Sequence, residues 1–349
     1  MGDHEKYMRR AMDLALLGKG NVAPNPLVGC VIVRKNNIVG EGYHRKYGFP
    51  HAEPNALASV ADPSILAEST LYVNLEPCNH FGNTPPCSQA IVEAGIQRVV
   101  IANKDPNKVV SGKGIDFLER AGIEVITGIL ENEGEELNRR FFTYHRKKRP
   151  YVILKWAQTA DGFIDKIRST EEEALQISNR ENVALVHKWR SEEPAILVGM
   201  NTIMMDNPSL TVRHVNGRNP LRVSIDSEKS VIPTDNYSFY DQSTPTLIFS
   251  KTTSKVENSV EYKQLPSLDL ENILSELHER KIQSVIVEGG RSLLTNFIEN
   301  ELWDEARITS SELIIKNGIK APTLKGELKN EFTCGKDNIV SLLSPLKFS

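Results

Sequence analysis

The chain has 349 residues, with 42 Lys plus Arg against 45 Asp plus Glu and a formal net charge of −3. That length predicts two domains, each large enough for a substantial interior, and the near balance of charge offers no basic excess for nucleic acid. No run of about 18 apolar residues occurs, so no membrane-spanning helix is expected. Four irregularly placed cysteines do not read as a secreted disulfide framework, and the opening Met1-Gly2-Asp3-His4-Glu5-Lys6 lacks the apolar core of a signal peptide. A cytoplasmic, reducing location is expected.

Apolar residues recur at helical intervals from Tyr7 to Leu17, and Gly18-Lys19-Gly20 should end that helix. Pro24-Asn25-Pro26 marks a turn that feeds a strand over Val28 to Val33, with Ile38 to Tyr43 as its hairpin partner. A helix should start near His51 and Glu53 and run through Ala56, Leu57 and Val60. Leu71 to Leu75 reads as a strand that delivers Glu76-Pro77-Cys78 to a loop, and Cys87 opens a helix through Ala94. That placement gives the Cys87 thiolate the positive end of a helix. Arg98 to Ala102 and Glu124 to Thr127 are further strands, with Ile115 to Ala121 a helix between them. The alternation predicts an α/β/α layered domain. Glu133 to His145 reads as one helix.

His51, Cys78 and Cys87 form a donor set suited to Zn²⁺, and three protein ligands leave a position open, as catalytic sites do. Zinc lowers the pKa of water toward ~7. Glu53, two residues after His51, can lie beside that water and move its proton without binding the metal. A His-x-Glu followed by Pro-Cys and a further Cys is the signature of nucleobase deaminases, although eight residues separate the cysteines here in place of the usual two. The stretch from Pro77 to Cys87, with His80, Gly82, Thr84, Pro85 and Pro86 between its ends, resembles the deaminases of riboflavin biosynthesis. The resemblance implies a cytidine-deaminase-like fold and substrate contacts from Asn25, His80, Asp105 and Asn107. It also extends to Val110-Ser111-Gly112-Lys113-Gly114, a glycine-rich loop whose backbone amides could approach a phosphate. Two positions depart from the family: Asn83 stands where relatives commonly carry Lys or Arg, and Pro54-Asn55 replaces a more usual Val-His. The missing cation would weaken phosphate binding.

The basic run Arg146-Lys147-Lys148-Arg149 reads as a solvated linker. It divides a first domain, 1–147, from a second, 148–349. Leu154 to Gly162 resembles the first strand of the riboflavin-pathway reductase. Arg190, the strand Ala195 to Gly199, the segment from Thr202 through Asp206-Asn207-Pro208 to Arg213, the strand Arg222 to Asp226, and Ser284 to Gly290 continue the likeness in order. Strand, glycine pair and a helix from Ser292 suit a cofactor phosphate, but no Gly-x-Gly-x-x-Gly is present, so a dinucleotide-binding Rossmann domain is not expected. The resemblance implies a dihydrofolate-reductase-like α/β fold that uses NADPH. Ala157, Thr202, Asp206, Ser227 and the turn with Gly290, Arg291 and Ser292 would contact NADPH. Arg190, Leu210, Arg213 and Glu288 would contact substrate, the arginines suiting its phosphate. Gln176 stands where an aromatic residue is usual near the nicotinamide, and Asn207 replaces the second acid of a common Asp-Asp-Pro.

Together the halves predict a bifunctional enzyme. The first would deaminate 2,5-diamino-6-ribosylamino-4(3H)-pyrimidinone 5′-phosphate, and the second would reduce its ribosyl group to ribityl with NADPH. The expected partners are a phosphorylated pyrimidine and further copies of the chain, as a dimer or tetramer, with no nucleic acid or membrane. A deaminase of another base with a non-catalytic second domain is the alternative, followed by a zinc-stabilised binding protein.

Overall fold

The computed structural model describes residues 2–81, 85–107, 110–226 and 237–345. The chain divides into two compact units, Met1–Lys148 and Arg149–Ser349.

In the first unit α1 (Asp3–Leu16) leads to the hairpin β1 (Gly29–Arg34) and β2 (Asn37–Tyr43), then α2 (Ala52–Ala58) and β3 (Thr70–Leu75). Next come α3 (Cys87–Glu93), β4 (Arg98–Asn103), α4 (Lys113–Arg120), β5 (Glu124–Thr127), α5 (Glu131–Leu137) and α6 (Arg139–Lys147). The sheet order is β2-β1-β3-β4-β5, with β3, β4 and β5 parallel and the hairpin antiparallel to them. Strand alternation splits the core between two faces. Ile32, Leu71, Val73, Val99 and Ile101 pack with α2, α3 and α4 on one face; Val31, Val33, Tyr72 and Val100 meet α1 on the other. This is the α/β/α sandwich expected from the alternating elements.

One expectation fails here. The segment from Glu133 to His145 is two helices, α5 and α6, which part at Asn138. The Asn138 side chain accepts from Leu27 N and donates to Leu27 O, both at 2.8 Å, which pins the turn that carries Asn25. A local amide that bonds distant backbone competes with helix continuation, and no periodicity in the segment reveals it.

The second unit begins with β6 (Tyr151–Gln158), β7 (Phe163–Asp165), α7 (Glu181–Glu192), β8 (Ala195–Gly199), α8 (Met200–Asp206) and β9 (Leu221–Asp226). It continues with β10 (Thr246–Ser250), β11 (Lys255–Glu257), β12 (Val260–Gln264), α9 (Leu270–Glu279), β13 (Ser284–Glu288) and α10 (Arg291–Glu299). The strands β14 (Glu305–Ser310), β15 (Ile319–Lys320), β16 (Glu327–Cys334) and β17 (Asp337–Leu343) complete it. Among the described residues ten strands form one sheet, ordered β11-β12-β10-β9-β8-β13-β6-β14-β17-β16. The run from β12 to β14 is parallel, and the two flanks are antiparallel. Helices α9 and α10 cover one face through Leu274, Leu277, Leu294 and Phe297, while Trp189 of α7 and Ile203 of α8 pack on the other. Such a sheet gathers the ends of β6, β8, β9 and β13 at one edge, where parallel α/β sheets hold ligands.

Candidate active sites

In the first unit His51 is the N-cap of α2, and Glu53 lies in its first turn beside the fully buried Ala52 and Ala56. The ligand atoms of His51, Cys78 and Cys87 all lie within 4.8 Å of one another. His51 Nδ1 is 3.6 Å from Cys78 Sγ and 3.3 Å from Cys87 Sγ. A convergent imidazole and thiol pair of this kind fits zinc. Glu53 is 3 % exposed, and among the described residues its Oε2 has no hydrogen-bond partner. Burial, reinforced by the neighbouring Cys78, pushes its carboxyl up to about 7, against the pull of His51. A buried, orphaned carboxylate oxygen next to three metal donors is what a proton shuttle needs before its water arrives.

The helix start at Cys87 serves the other thiol. Cys87 N–H donates to Cys78 Sγ at 3.4 Å, so the expected helix-end benefit goes to Cys78. A hydrogen bond from the Cys87 thiol, aided by His51, holds Cys78 down to about 4, while the shared proton and burial push Cys87 up.

Asn25 is half-buried, with its Nδ2 3.1 Å from His44 Nε2. His44 Nδ1 lies 3.1 Å from the carbonyl oxygen of Pro50, which can only accept. Nδ1 therefore carries the proton, Nε2 accepts from Asn25, and the Asn25 carbonyl is left for a ligand. Nothing in the sequence singled out His44; it is 2 % exposed, and its ring stands edge-on to His51 at 5.3 Å. Asp105 is buried, which raises its carboxyl to about 7, and its Oδ1 accepts from Asn107 N at 2.7 Å. His80 is exposed, and Asn83 lies outside the described residues.

The glycine-rich loop does not offer its amides to a phosphate. Gly112 N, Gly114 N and Ile115 N donate to the buried Glu76 carboxylate at 3.0, 3.0 and 3.3 Å. The sequence did carry a signal for this residue: an acid that directly follows a strand whose burial continues to its last residue, Leu75.

In the second unit Glu288, at the end of β13, accepts from Arg190 Nε at 3.1 Å and Nη2 at 2.7 Å. Lys155 Nζ of β6 stands 3.8 Å from the same carboxylate. Burial would raise the Glu288 carboxyl, but Arg190 and Lys155 outweigh it and hold the group at about 2. The edge of Arg190 expected to grip a phosphate is thus turned to Glu288. Arg213 is exposed, and its guanidinium is bonded only to the Ser209 and Thr211 hydroxyls among the described residues, so its charge is not neutralised there. Leu210 is buried with φ +53°, a left-handed conformation that a branched side chain disfavours. Lys155 was missed as a site residue, although a lysine within an apolar strand is the mark of a buried charge.

Gly289, with φ +144°, sits where a Cβ would come 3.1 Å from Thr202 Oγ1 and 3.6 Å from Gly199 N. Gly290 N donates to that Thr202 hydroxyl at 3.0 Å, which leaves Arg291 and Ser292 to begin α10 as exposed first-turn amides. Bare backbone at the joined ends of β8 and β13 fits a cofactor phosphate. Ala157 is half-buried near the end of β6, and Asp206 is paired with Arg168. Ser227 lies outside the described residues. Gln176 is exposed and bonds Ser178 O at 2.9 Å. Asn207 caps α8 in the left-handed region, φ +42°, and accepts from Ser238 N at 2.6 Å, a role asparagine fills better than most residues.

A thiol and imidazole metal centre on a deaminase-type sandwich, followed by a parallel sheet with a glycine cradle, defines a two-domain deaminase and reductase. Residues 1–103 match the family described as the cytidine and deoxycytidylate deaminase zinc-binding region, and residues 150–334 match the RibD C-terminal domain. Riboflavin biosynthesis protein RibD of Aquifex aeolicus is 42% identical over 90% of this chain and 88% of its own length. The Bacillus amyloliquefaciens protein of the same name is 40% identical over 92% of this chain and 87% of its own. The crystal structure of a diaminohydroxyphosphoribosylaminopyrimidine deaminase/5-amino-6-(5-phosphoribosylamino)uracil reductase from Thermotoga maritima superposes with a TM-score of 0.89 at 37% identity, covering 98% of this chain and 99% of that one. The chain belongs to the RibD family of riboflavin biosynthesis proteins. Among the described residues no helix is long and apolar enough to cross a membrane.

Proposed function

We propose that the chain is a bifunctional enzyme of riboflavin biosynthesis, a zinc-dependent deaminase in residues 1–147 and an NADPH-dependent reductase in residues 148–349. The substrate is 2,5-diamino-6-ribosylamino-4(3H)-pyrimidinone 5′-phosphate, deaminated first and then reduced from ribosyl to ribityl. The observation that carries the reading is the buried Glu53 carboxylate, whose Oε2 has no hydrogen-bond partner among the described residues, beside the His51, Cys78 and Cys87 donors.

His51, Cys78 and Cys87 hold the metal. Zinc, when bound, supplies the Lewis acidity that makes water a nucleophile near neutral pH. Glu53, with its carboxyl near 7, takes a proton from water and returns one to the departing amine, so that ammonia leaves. Asn25, oriented by His44, presents its carbonyl to a ring donor. Asp105 and Asn107 meet the pyrimidinone edge, and His80 contacts the substrate from the metal loop. The sum is hydrolytic: water adds, ammonia departs, and a carbonyl replaces the amine.

In the second unit NADPH supplies the hydride and the chain supplies orientation. Thr202, Gly290, Arg291 and Ser292 hold the cofactor phosphates, with Ala157, Asp206 and Ser227 along its length. Arg213, charged and bonded only to hydroxyls among the described residues, takes the substrate phosphate. Glu288, fixed by Arg190 and Lys155, faces the sugar hydroxyls, and the strained Leu210 backbone sets the wall. A homo-oligomer, dimer or tetramer, is supported by β16, an edge strand exposed along nearly its whole length, Leu328 and Phe332 included. A cytoplasmic location is in keeping with four cysteines that are all free thiols.

The test follows ammonia release and NADPH oxidation together on the purified chain given the diaminopyrimidinone phosphate. Ammonia first and NADPH consumption second is the expected order. Ammonia without NADPH oxidation would reduce the second unit to a binding domain. No ammonia from zinc-loaded protein would overturn the substrate.

A further inference from the structure

Glu76 is 4 % exposed and lies at the end of β3, two residues before Cys78. Its two oxygens take four backbone N–H groups. Oε2 accepts from Asp105 at 3.1 Å and Gly112 at 3.0 Å, and Oε1 from Gly114 at 3.0 Å and Ile115 at 3.3 Å. Gly114 and Ile115 belong to the first turn of α4, so the carboxylate also lies against the positive end of that helix. Two further contacts tie the same segments. Asn79 Nδ2 donates to Lys113 O at 3.2 Å, and a Cβ on Gly114 would come 2.0 Å from Pro77 O. The loop that carries Asp105 and Asn107 is thereby stapled to the loop that carries Cys78.

We infer that Glu76 is a positioning residue for deamination, the fixed anchor that sets Asp105 and Asn107 at their distance from the metal ligands. The inference rests on the reading of Asp105 and Asn107 as substrate contacts. A carboxylate is required because only it offers acceptor oxygens to both pairs of donors. Glutamine would turn an NH2 toward one pair and leave two buried N–H groups unpaired. An aspartate, one methylene shorter, could not span both pairs. Misplacement of a substrate-contacting group by about 1 Å can cost on the order of 100-fold in rate.

The experiment uses the full chain and reads zinc per chain together with ammonia release. Glu76→Gln should lower deaminase kcat/KM by about 10- to 100-fold, mainly through KM, with zinc content unchanged. Adding Glu76→Gln to Asp105→Asn should cost much less than it costs alone, because the residue acts through that loop. Unchanged kcat/KM, additive losses, or zinc lost from Glu76→Gln would each overturn the inference. If that variant does not fold, Asn79→Ala removes the tether to Lys113 O and also the bond that Asn79 Oδ1 accepts from Ser88 Oγ at 2.8 Å. It should raise KM more than Ser88→Ala does, with zinc retained, and a KM no higher than that of Ser88→Ala would contradict the staple. If Asp105→Asn and Asn107→Ala alone leave kcat/KM intact, the substrate reading falls instead. Amide exchange then decides on Glu76: Gly112, Gly114 and Ile115 should be protected in the wild type and faster in Glu76→Gln, and equal rates would overturn the anchor.

Discussion

In the first unit the metal donors come from positions 51 to 87 and converge within 4.8 Å, around a carboxyl that burial raises to about 7. In the second, the candidate residues are strung from Ala157 to Ser292 over two strands, three helices and the loops between them, and the buried acid, Glu288, is held at about 2 by two cations. Two buried glutamates thus acquire opposite protonation habits. Glu53 has one oxygen without a partner among the described residues and a neighbouring thiol; Glu288 has a bidentate arginine and a lysine. In the proposed roles, the group that moves a proton has its carboxyl raised toward neutral pH, and the group that holds position is kept charged.

The contrast can be broken most severely at the metal. Cys87→Ser should abolish zinc binding and deamination and destabilise the first unit, while NADPH-dependent reduction of the supplied deaminated intermediate continues; metal analysis with both assays reads the outcome. Loss of both activities would mean that the sites are not independent. Next in size, Glu288→Gln leaves Arg190 and Lys155 buried without their partner, at a cost of about 3 kcal/mol. Denaturant unfolding followed in the second unit checks it, and a cost near zero would show the pair to be solvated.

The smallest effect is on pH dependence. Burial, with Arg190 and Arg213 nearby, lowers His187 to about 4, and its Nδ1 accepts from Arg213 N at 3.0 Å. Its folded pKa lies below the ordinary value near 6.5, so the unfolded chain takes the proton first as pH falls. The stability it contributes is full above pH ~6.5 and declines toward pH ~4. Comparing the urea midpoint at pH 7 and pH 5 with that of His187→Asn, which has no titrating ring, isolates this slope. A slope that survives the substitution would assign it to other groups.

What was legible in the sequence follows the same division. Zinc chemistry demands particular residue types at short spacing, so His51, Glu53, Cys78 and Cys87 stand out before any fold is known. The strands β1 to β5 were equally plain, because apolar runs between glycine, proline and asparagine turns are local signals. The partners that orient the site were not. His44 reaches Asn25 across the hairpin, Asn138 reaches Leu27 from more than a hundred residues away, and Glu76 occupies amides that local pattern would leave to a phosphate. Each of these is a long-range polar contact, which no spacing rule encodes. In the second unit β16 is exposed along nearly its whole length, and its place at the sheet edge is set by pairing with β17, a long-range contact.

The most direct measurement is made on Glu53→Gln, with zinc per chain, ammonia release and NADPH oxidation read from one preparation. The account predicts full zinc, deamination lower by about 100- to 10,000-fold, and undiminished reduction when the deaminated intermediate is supplied. Ammonia release at the wild-type rate with zinc bound would contradict it, and Glu53 would then be a buried acid with no part in the chemistry.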